Sequence, residues 1–172
     1  KKNLINAYDN SIRYTDNFLT RIIRMLQEME VDAAMLYTSD HGEDIFDDGR
    51  HLFLHASPVP SYYQLHVPFL VWMSDSYREA YPSLPKAAEN NRQKNISSST
   101  SFFQTMLELG GIATPYRNDS LSVTNALLTE KHRVYLNDHN EARPLDDIGM
   151  GQEDFRMLEK RGITCIQSAR ER

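Results

Sequence analysis

The sequence lacks several features that would identify its class at once. It has no basic tract and a net charge of −5, which argues against a nucleic-acid surface. No apolar run approaches the roughly 18 residues that a membrane-spanning helix needs, and no signal peptide is visible. The single cysteine, Cys165, excludes an intramolecular disulfide framework. These absences favour an ordinary soluble domain.

The composition is that of a globular protein with a genuine core. Hydrophobic residues make up 40% and charged residues 25% of the 172 positions, which suits one domain. The chain starts at Lys1, without methionine, in residues that look like the approach to a helix. We therefore interpret residues 1–172 as one partial domain of a longer protein.

Apolar periodicity predicts helices that alternate with strands. Residues 7–30 carry apolar side chains at steps of three and four, which predicts an amphipathic helix. The continuous apolar runs at 33–38 and 66–74 predict strands buried on both faces, and residues 39–65 form a long loop between them. The other predicted elements are a helical turn at 75–82, a polar stretch at 85–101, a helix at 102–109, a strand at 133–137 and a last helix at 153–163. The pattern is typical of an α/β fold in which helices flank a layered sheet.

The stretch "MLYTSDHGEDIFDDGRHLFLH", residues 35–55, holds three of the six histidines. Ligands of α/β sheets bind beyond the carboxyl ends of strands, where Asp40 and His41 stand. An adjacent carboxylate and imidazole bind one Zn²⁺ only if the backbone turns, because along a strand they point to opposite faces. Gly42 would supply the freedom to turn, and His55 could return to the same site or to a second metal.

Structural interpretations compete with this metal site. An Asp-His dipeptide by itself is more often a cap or a surface hydrogen bond; its position after a buried strand and the nearby histidines favour the metal site. His51, beside Arg50, suits solvent exposure. His66 begins a strand and fits a core or edge histidine as well as a ligand, and we interpret His132 and His139 as surface residues.

A calcium loop matches residues 44–55 only in part. Asp44 and Asp48 occupy its first and fifth positions and Gly49 the sixth. An oxygen ligand is missing at the third position, and His55 replaces the glutamate of the twelfth. We interpret Asp47 and Asp48 as a solvated turn instead.

The order of several motifs resembles one known family. "YDNSIRYTDNFLTRII", "YTSDHGE", "LH" followed by prolines, and "HVPFLVW" resemble the lipid A phosphoethanolamine transferases, and more broadly the sulfatase-like branch of the alkaline phosphatase superfamily. "SFFQTMLELGGI", "DSLS" and "RVYLN" follow in the family's order. The resemblance covers roughly residues 5–140, and it implies that residues 1–172 are the C-terminal part of an alkaline-phosphatase-like catalytic domain.

The resemblance also implies roles for individual residues. Asp40 and His41 match a pair of zinc ligands, for one zinc ion or two. His55 matches a catalytic and substrate-binding histidine near the transferred phosphoryl group, and His66 would contact substrate as well. The threonine nucleophile and a glutamate ligand of the family would precede residue 1. Where the family has Ser-His-Asp before the helix at 102–109, this chain has a run of serine and threonine at 98–100.

The activity so implied is zinc-dependent transfer of phosphoethanolamine from a phospholipid to a cell-envelope glycolipid through a phosphothreonine. Upstream membrane helices would place the domain on the periplasmic face of the inner membrane. Its partners would be these lipids and the rest of its own chain, without nucleic acid.

One alternative is a sulfatase, whose C-x-P-x-R nucleophile Cys165 cannot supply. The other is an inactive metal-binding fragment. We expect the 172 residues alone to be inactive. Buried strands must be covered on both faces, so we also expect the 172 residues alone to dimerise or aggregate.

Overall fold

Helices and short antiparallel strand pairs build the structure. The computed structural model describes residues 1–55, 58–137 and 139–163. The helices of this part are α1 (Lys2–Glu28), α2 (Tyr62–Leu65), α3 (Asp75–Ala80), α4 (Ser83–Asn91), α5 (Ser98–Leu109) and α6 (Gln152–Lys160), with 3₁₀ turns at Asp119–Leu121 and Leu145–Asp147. The strands are β1 (Ala34–Thr38), β2 (Asp44–Ile45), β3 (Phe53–Leu54), β4 (Phe69–Met73), β5 (Val134–Leu136) and β6 (Ala142–Pro144).

The strands pair β1 with β4, β2 with β3, and β5 with β6, all antiparallel. In the first pair Ala34 lies opposite Met73, and Thr38 lies opposite Phe69. The end of β1 and the start of β4 therefore meet at one edge. The long connection between them leaves and returns at the same place, which keeps its residues close to the end of β1.

The prediction that both long strands are buried on both faces is wrong for the described chain. All five residues of β1 are half-buried, and in β4 only Met73 is buried. An apolar run shows that a strand prefers burial, but burial requires layers on both sides. Among the described elements outside the sheet, only α5 makes an extensive contact with β1, so the pair is incompletely covered.

The boundaries of the helices also differ from the prediction. Helix α1 begins five residues earlier than expected and ends two residues earlier. Part of the stretch interpreted as polar and irregular is helix α4, whose Pro85 lies in the first turn, where a missing N–H costs little. The serines expected to precede α5 form its first turn instead. Within the described residues no helix is both long and apolar enough to span a bilayer.

A hydrophobic core lies between α2, α6 and the turn that precedes α6. Its buried members are Tyr62, Leu145, Met150 and Leu158. A four-residue helix has little stability of its own, so this packing is what holds α2 in place. The core thereby anchors the last part of the connection between β1 and β4.

A second anchor is the buried carboxylate of Glu108 on α5. Its oxygens accept hydrogen bonds from Thr124 Oγ1 at 2.8 Å, from Asn125 Nδ2 at 2.6 Å and from Ser122 Oγ, and Arg117 Nη2 lies at 3.3 Å. A buried carboxylate is tolerated only when it is paired in this way. Glu108 therefore ties the segment 117–125 to α5.

We expect Glu108→Ala to lower the free energy of unfolding by about 3 kcal/mol, because it leaves buried donors without their acceptor and removes one of the two carboxylates that pair with Arg117. Urea denaturation measures the change. The control is Glu89→Ala, since Glu89 is 74% exposed and makes only a surface ion pair with Arg92, so a change below about 0.5 kcal/mol is expected. Equal effects of the two substitutions would contradict this role of Glu108.

Candidate metal centre

His41, Glu43 and His55 come together beyond the end of β1. One possible ligand atom from each of the three lies within 4.8 Å of the others. His55 Nδ1 is 2.8 Å from Glu43 Oε1, and His41 Nδ1 is 4.0 Å from the same oxygen. The two imidazole rings are 4.0 Å apart, measured between centroids. We refer to these three residues as the histidine cluster.

A small hairpin explains why residues twelve positions apart meet. In the β2–β3 pair Asp44 lies opposite Leu54 and Ile45 opposite Phe53. Glu43 directly precedes β2 and His55 directly follows β3, so the two are the next cross-strand neighbours of this pair. The sequence prediction treated the whole region as a loop and therefore missed Glu43 as the partner of His55.

Gly42 is required for a reason other than the predicted one. Its φ is not positive, so no special backbone freedom is used there. A Cβ at this position would instead lie 2.0 Å from the carbonyl oxygen of Tyr63, and Gly42 N donates to the carbonyl of Gln64 at 2.8 Å. Glycine is needed because the main chain of α2 approaches too closely for any side chain.

Asp40 lies beside His41 but outside the histidine cluster. Its side chain is 88% exposed, and its Oδ1 accepts the N–H of His41 at 3.0 Å. That main-chain hydrogen bond lowers the pKa of the Asp40 carboxyl below its usual value. Its Oδ2 is 3.8 Å from Nε2 of His41. The predicted pair is therefore adjacent, and Asp40 presents an ionised carboxylate to the histidine ring.

The hydrogen bonds of the two rings decide which nitrogens are available as ligands. His41 Nδ1 lies 2.9 Å from the carbonyl oxygen of Gly42, and His55 Nδ1 lies against a carboxylate. Both acceptors require a proton on Nδ1. In the neutral rings Nε2 then carries the lone pair, which is the arrangement that orients metal-binding histidines.

The donor set fits a zinc ion. Glu43 Oε2 is buried and has no hydrogen-bond partner within the part of the chain that the structure describes. A buried carboxylate oxygen without a partner is unfavourable unless a cation or donor approaches it. Imidazole nitrogens and carboxylate oxygens are the ligands that zinc takes besides thiolates.

A cavity of about 580 Å³ opens beside the histidine cluster. His41 and His55 line it, and so do His66, Lys94 and Arg133. Two cationic side chains and three histidines thus share one space with the single carboxylate of Asp40 among the described residues that line it. Such a space suits a ligand with an anionic group.

His66 does not begin a strand, contrary to the prediction. It directly follows α2, and β4 starts only at Phe69. Its Nδ1 is 3.0 Å from the hydroxyl of Tyr62, on whose ring it stacks. His66 is exposed, yet partial desolvation of its ring lowers its pKa below the ordinary value of 6.5, and the charges of Arg161 and Arg133 add to the shift.

The predictions for the remaining histidines and for the calcium loop have different outcomes. His51 and His139 are exposed, as expected, whereas His132 is only 23% exposed and lies 3.8 Å from Asp146, so its assignment to the surface was wrong. The calcium interpretation has no support, since the buried Asp44 accepts hydrogen bonds from protein groups. The predicted turn is present, since Asp47 is exposed and Asp48 O accepts from His51 N, and the Asp48 carboxylate also pairs with Arg50.

We expect His66 to titrate below pH 6.5 in metal-free protein, which an NMR pH titration of its ring measures. Its folded pKa is lowered, so its contribution to stability is present above pH 6.5 and is lost as the pH falls through the lower folded value. His66→Phe keeps the stacking but should remove this loss. A midpoint at or above 6.5 would contradict the desolvation of the His66 ring.

Comparison with known proteins identifies the family of the chain. The family model described as Sulfatase matches residues 1–112. Phosphoethanolamine transferase EptA of Escherichia coli K12 is 32% identical over 120 residues, which are 67% of this chain and 22% of EptA. The Kdo(2)-lipid A phosphoethanolamine 7''-transferase of the same strain is 37% identical over 97 residues, 52% of this chain and 16% of that enzyme. The chain spans about a fifth of the length of these relatives.

A solved structure shows the same fold. The C-terminal periplasmic domain of EcEptC from Escherichia coli, in complex with Zn, superposes with a TM-score of 0.64 at 21% identity, over 82% of this chain and 39% of that one. The predicted α/β, alkaline-phosphatase-like fold and the predicted resemblance to phosphoethanolamine transferases are both confirmed. The chain belongs to the sulfatase family.

Proposed function

We propose that residues 1–172 are the C-terminal part of a single catalytic domain in a zinc-dependent phosphoethanolamine transferase. The observation that carries the proposal is the histidine cluster, placed just beyond β1 in a member of the sulfatase family. Relatives with this activity in their names support the choice of reaction. The Zn complex of the EcEptC domain supports the choice of metal.

In this proposal Asp40 and His41 hold the zinc ion. The Asp40 carboxylate is ionised and lies near the Nε2 of His41, and the Gly42 carbonyl fixes the ring with that lone pair available. Glu43 Oε2 supplies a further ligand, to the same ion or to a second one, and His55 Nε2 faces the transferred phosphoryl group. A glutamate ligand and the threonine nucleophile lie upstream of residue 1.

Each residue then has a defined part in the transfer. Bound zinc lowers the pKa of the nucleophilic hydroxyl and offsets negative charge on the phosphoryl oxygens. The threonine oxygen bonds to phosphorus as the bond to the lipid oxygen breaks, and that oxygen takes up a proton; an acceptor oxygen then displaces the threonine. Glu43 holds Nδ1–H of His55, so that the protonated ring donates Nε2–H to a phosphoryl or leaving oxygen.

The cavity beside the histidine cluster would receive the substrate. His66 together with Lys94 and Arg133 forms a polar and cationic wall that suits the phosphate of a phospholipid headgroup or of an anionic glycolipid. A phospholipid donor, a cell-envelope glycolipid acceptor, and a periplasmic location at the inner membrane are parts of the same proposal. Membrane helices upstream of residue 1 would supply the anchor.

A sulfatase is the second candidate, because the matching family model is the Sulfatase one. Sulfatases use the same acid–imidazole metal pair but require a C-x-P-x-R nucleophile. Cys165 does not stand in that motif and lies outside the described residues. Sequence preceding Lys1 decides between the two activities, as does an assay with an aryl sulfate ester.

We expect His41→Ala to abolish phosphoethanolamine transfer by the longer protein that contains this chain, because the ion loses its fixed imidazole. Transfer to lipid A from a labelled phosphatidylethanolamine, followed by mass spectrometry, measures the loss, and zinc content is determined in parallel. The 172 residues alone should be inactive in the same assay, since half a ligand set holds zinc weakly.

His51→Ala is the matched control, because His51 belongs to the same loop but is exposed and lies outside the histidine cluster. Its transfer rate should match that of the unchanged protein. Full transfer by His41→Ala with unchanged zinc content would rule the proposal out.

A further inference from the structure

We infer that Gln64 is a positioning residue that assembles the histidine cluster. The inference rests on the proposed function only in treating the cluster as a metal site. Gln64 is buried, at 6% exposure, and lies on α2. Gln64 also lines the cavity beside the cluster, but its side-chain amide is directed to Asp44 and Leu54, so it acts through the main chain and side chains next to the ligands.

Gln64 makes three hydrogen bonds toward the connection that carries the cluster. Its carbonyl accepts from Gly42 N at 2.8 Å. Its side-chain Nε2 donates to Asp44 Oδ2 at 2.5 Å and reaches the carbonyl of Leu54 at 3.4 Å. One residue therefore spans both strands of the hairpin and the segment before it.

These three partners are the sequence neighbours of the cluster. Gly42 stands between His41 and Glu43, Asp44 follows Glu43, and Leu54 precedes His55. Any displacement of Gln64 would shift the backbone on which all three cluster side chains stand.

The backbone before His55 needs such support. Leu54 has a φ of +60°, a left-handed conformation that a residue with a branched side chain seldom adopts unless its surroundings impose it. Its carbonyl is the one that Gln64 reaches. The contact helps to keep His55 facing Glu43.

Gln64 itself stands on a rigid base. Ser61 caps α2 through its contact with Gln64 N and donates to Asp44 Oδ1 at 2.7 Å. Tyr62 N donates at 2.8 Å to Asp154, which is fully buried and also binds Arg50. Helix α2 is thus joined to α6 and to the core. Because α2 is fixed in this way, Gln64 holds the connection between β1 and β4 in place.

The chemistry at position 64 calls for an amide. Both oxygens of Asp44 accept hydrogen bonds, so the residue facing Oδ2 must donate. Gln64→Glu keeps the shape but sets oxygen against oxygen. Gln64→Met keeps much of the length and removes the donor.

The test uses the purified 172-residue chain and two readouts. Competition with a chelating dye measures the dissociation constant for zinc, and NMR in metal-free buffer detects the proton–proton contact between the rings of His41 and His55. We expect Gln64→Met and Gln64→Glu to weaken zinc binding about 10- to 100-fold, as loss of supporting residues does in metal sites, and to remove the ring contact.

Gln104→Met is the matched control. Gln104 also binds main chain at both ends, with Nε2 donating to Tyr116 O at 3.1 Å and Oε1 accepting from Asn118 N at 2.7 Å, and none of its contacts involves the histidine cluster. This substitution should lower stability while leaving zinc affinity and the ring contact unchanged.

A double substitution that exchanges the hydrogen-bond donor and acceptor keeps the test decisive if Gln64→Met does not fold. Asp44→Asn combined with Gln64→Glu exchanges donor and acceptor, so it should bind zinc more tightly than Gln64→Glu alone. No recovery in the pair, or an unchanged ring contact and zinc affinity in Gln64→Met, overturns the positioning role. If the unchanged chain shows the ring contact and the Gln64 variants lose it, but the longer protein that contains this chain binds no zinc, the positioning role stands and the proposed function fails.

Discussion

The close approach of the main chain at Gly42 to helix α2 is the constraint on which the site depends. The two segments share a hydrogen bond of 2.8 Å, and a Cβ on Gly42 would overlap a carbonyl oxygen of α2. This contact turns the chain back directly after β1 and so starts the hairpin at Asp44. Cross-strand pairing in the hairpin then brings Glu43 and His55 together. His41, which directly precedes Gly42, lies beside both of them.

The histidine cluster therefore depends on a folded connection more than on the sheet. Strands β1 and β4 supply the edge at which the connection leaves and returns, but they are only half-buried. Rigidity comes from α2, which packs in the core, and from Arg50, whose guanidinium binds the buried Asp154 of α6 at 2.5 and 2.9 Å. Functional groups on connections are commonly held by such a scaffold.

Much of this arrangement could be predicted from the sequence. Periodicity located α1, β1, β4 and α6, because apolar spacing is a local signal, and the position of Asp40 and His41 after β1 indicated a site. The pairing of Glu43 with His55, the hairpin and the support from Gln64 were missed, since two-residue strands leave no periodic pattern. Burial of the strands was overestimated, because a local pattern records a preference and not the layers that satisfy it.

The proposed chemistry requires His41 to be a metal ligand at the end of β1. Anomalous diffraction at the zinc edge, from crystals of the 172-residue chain grown with excess zinc to saturate a weak site, tests this requirement most directly. We expect a peak about 2.0–2.1 Å from Nε2 of His41, with a carboxylate oxygen at a similar distance. Clear density for His41 without a peak near it, its ring held only by the Gly42 carbonyl, would show that His41 is not a ligand.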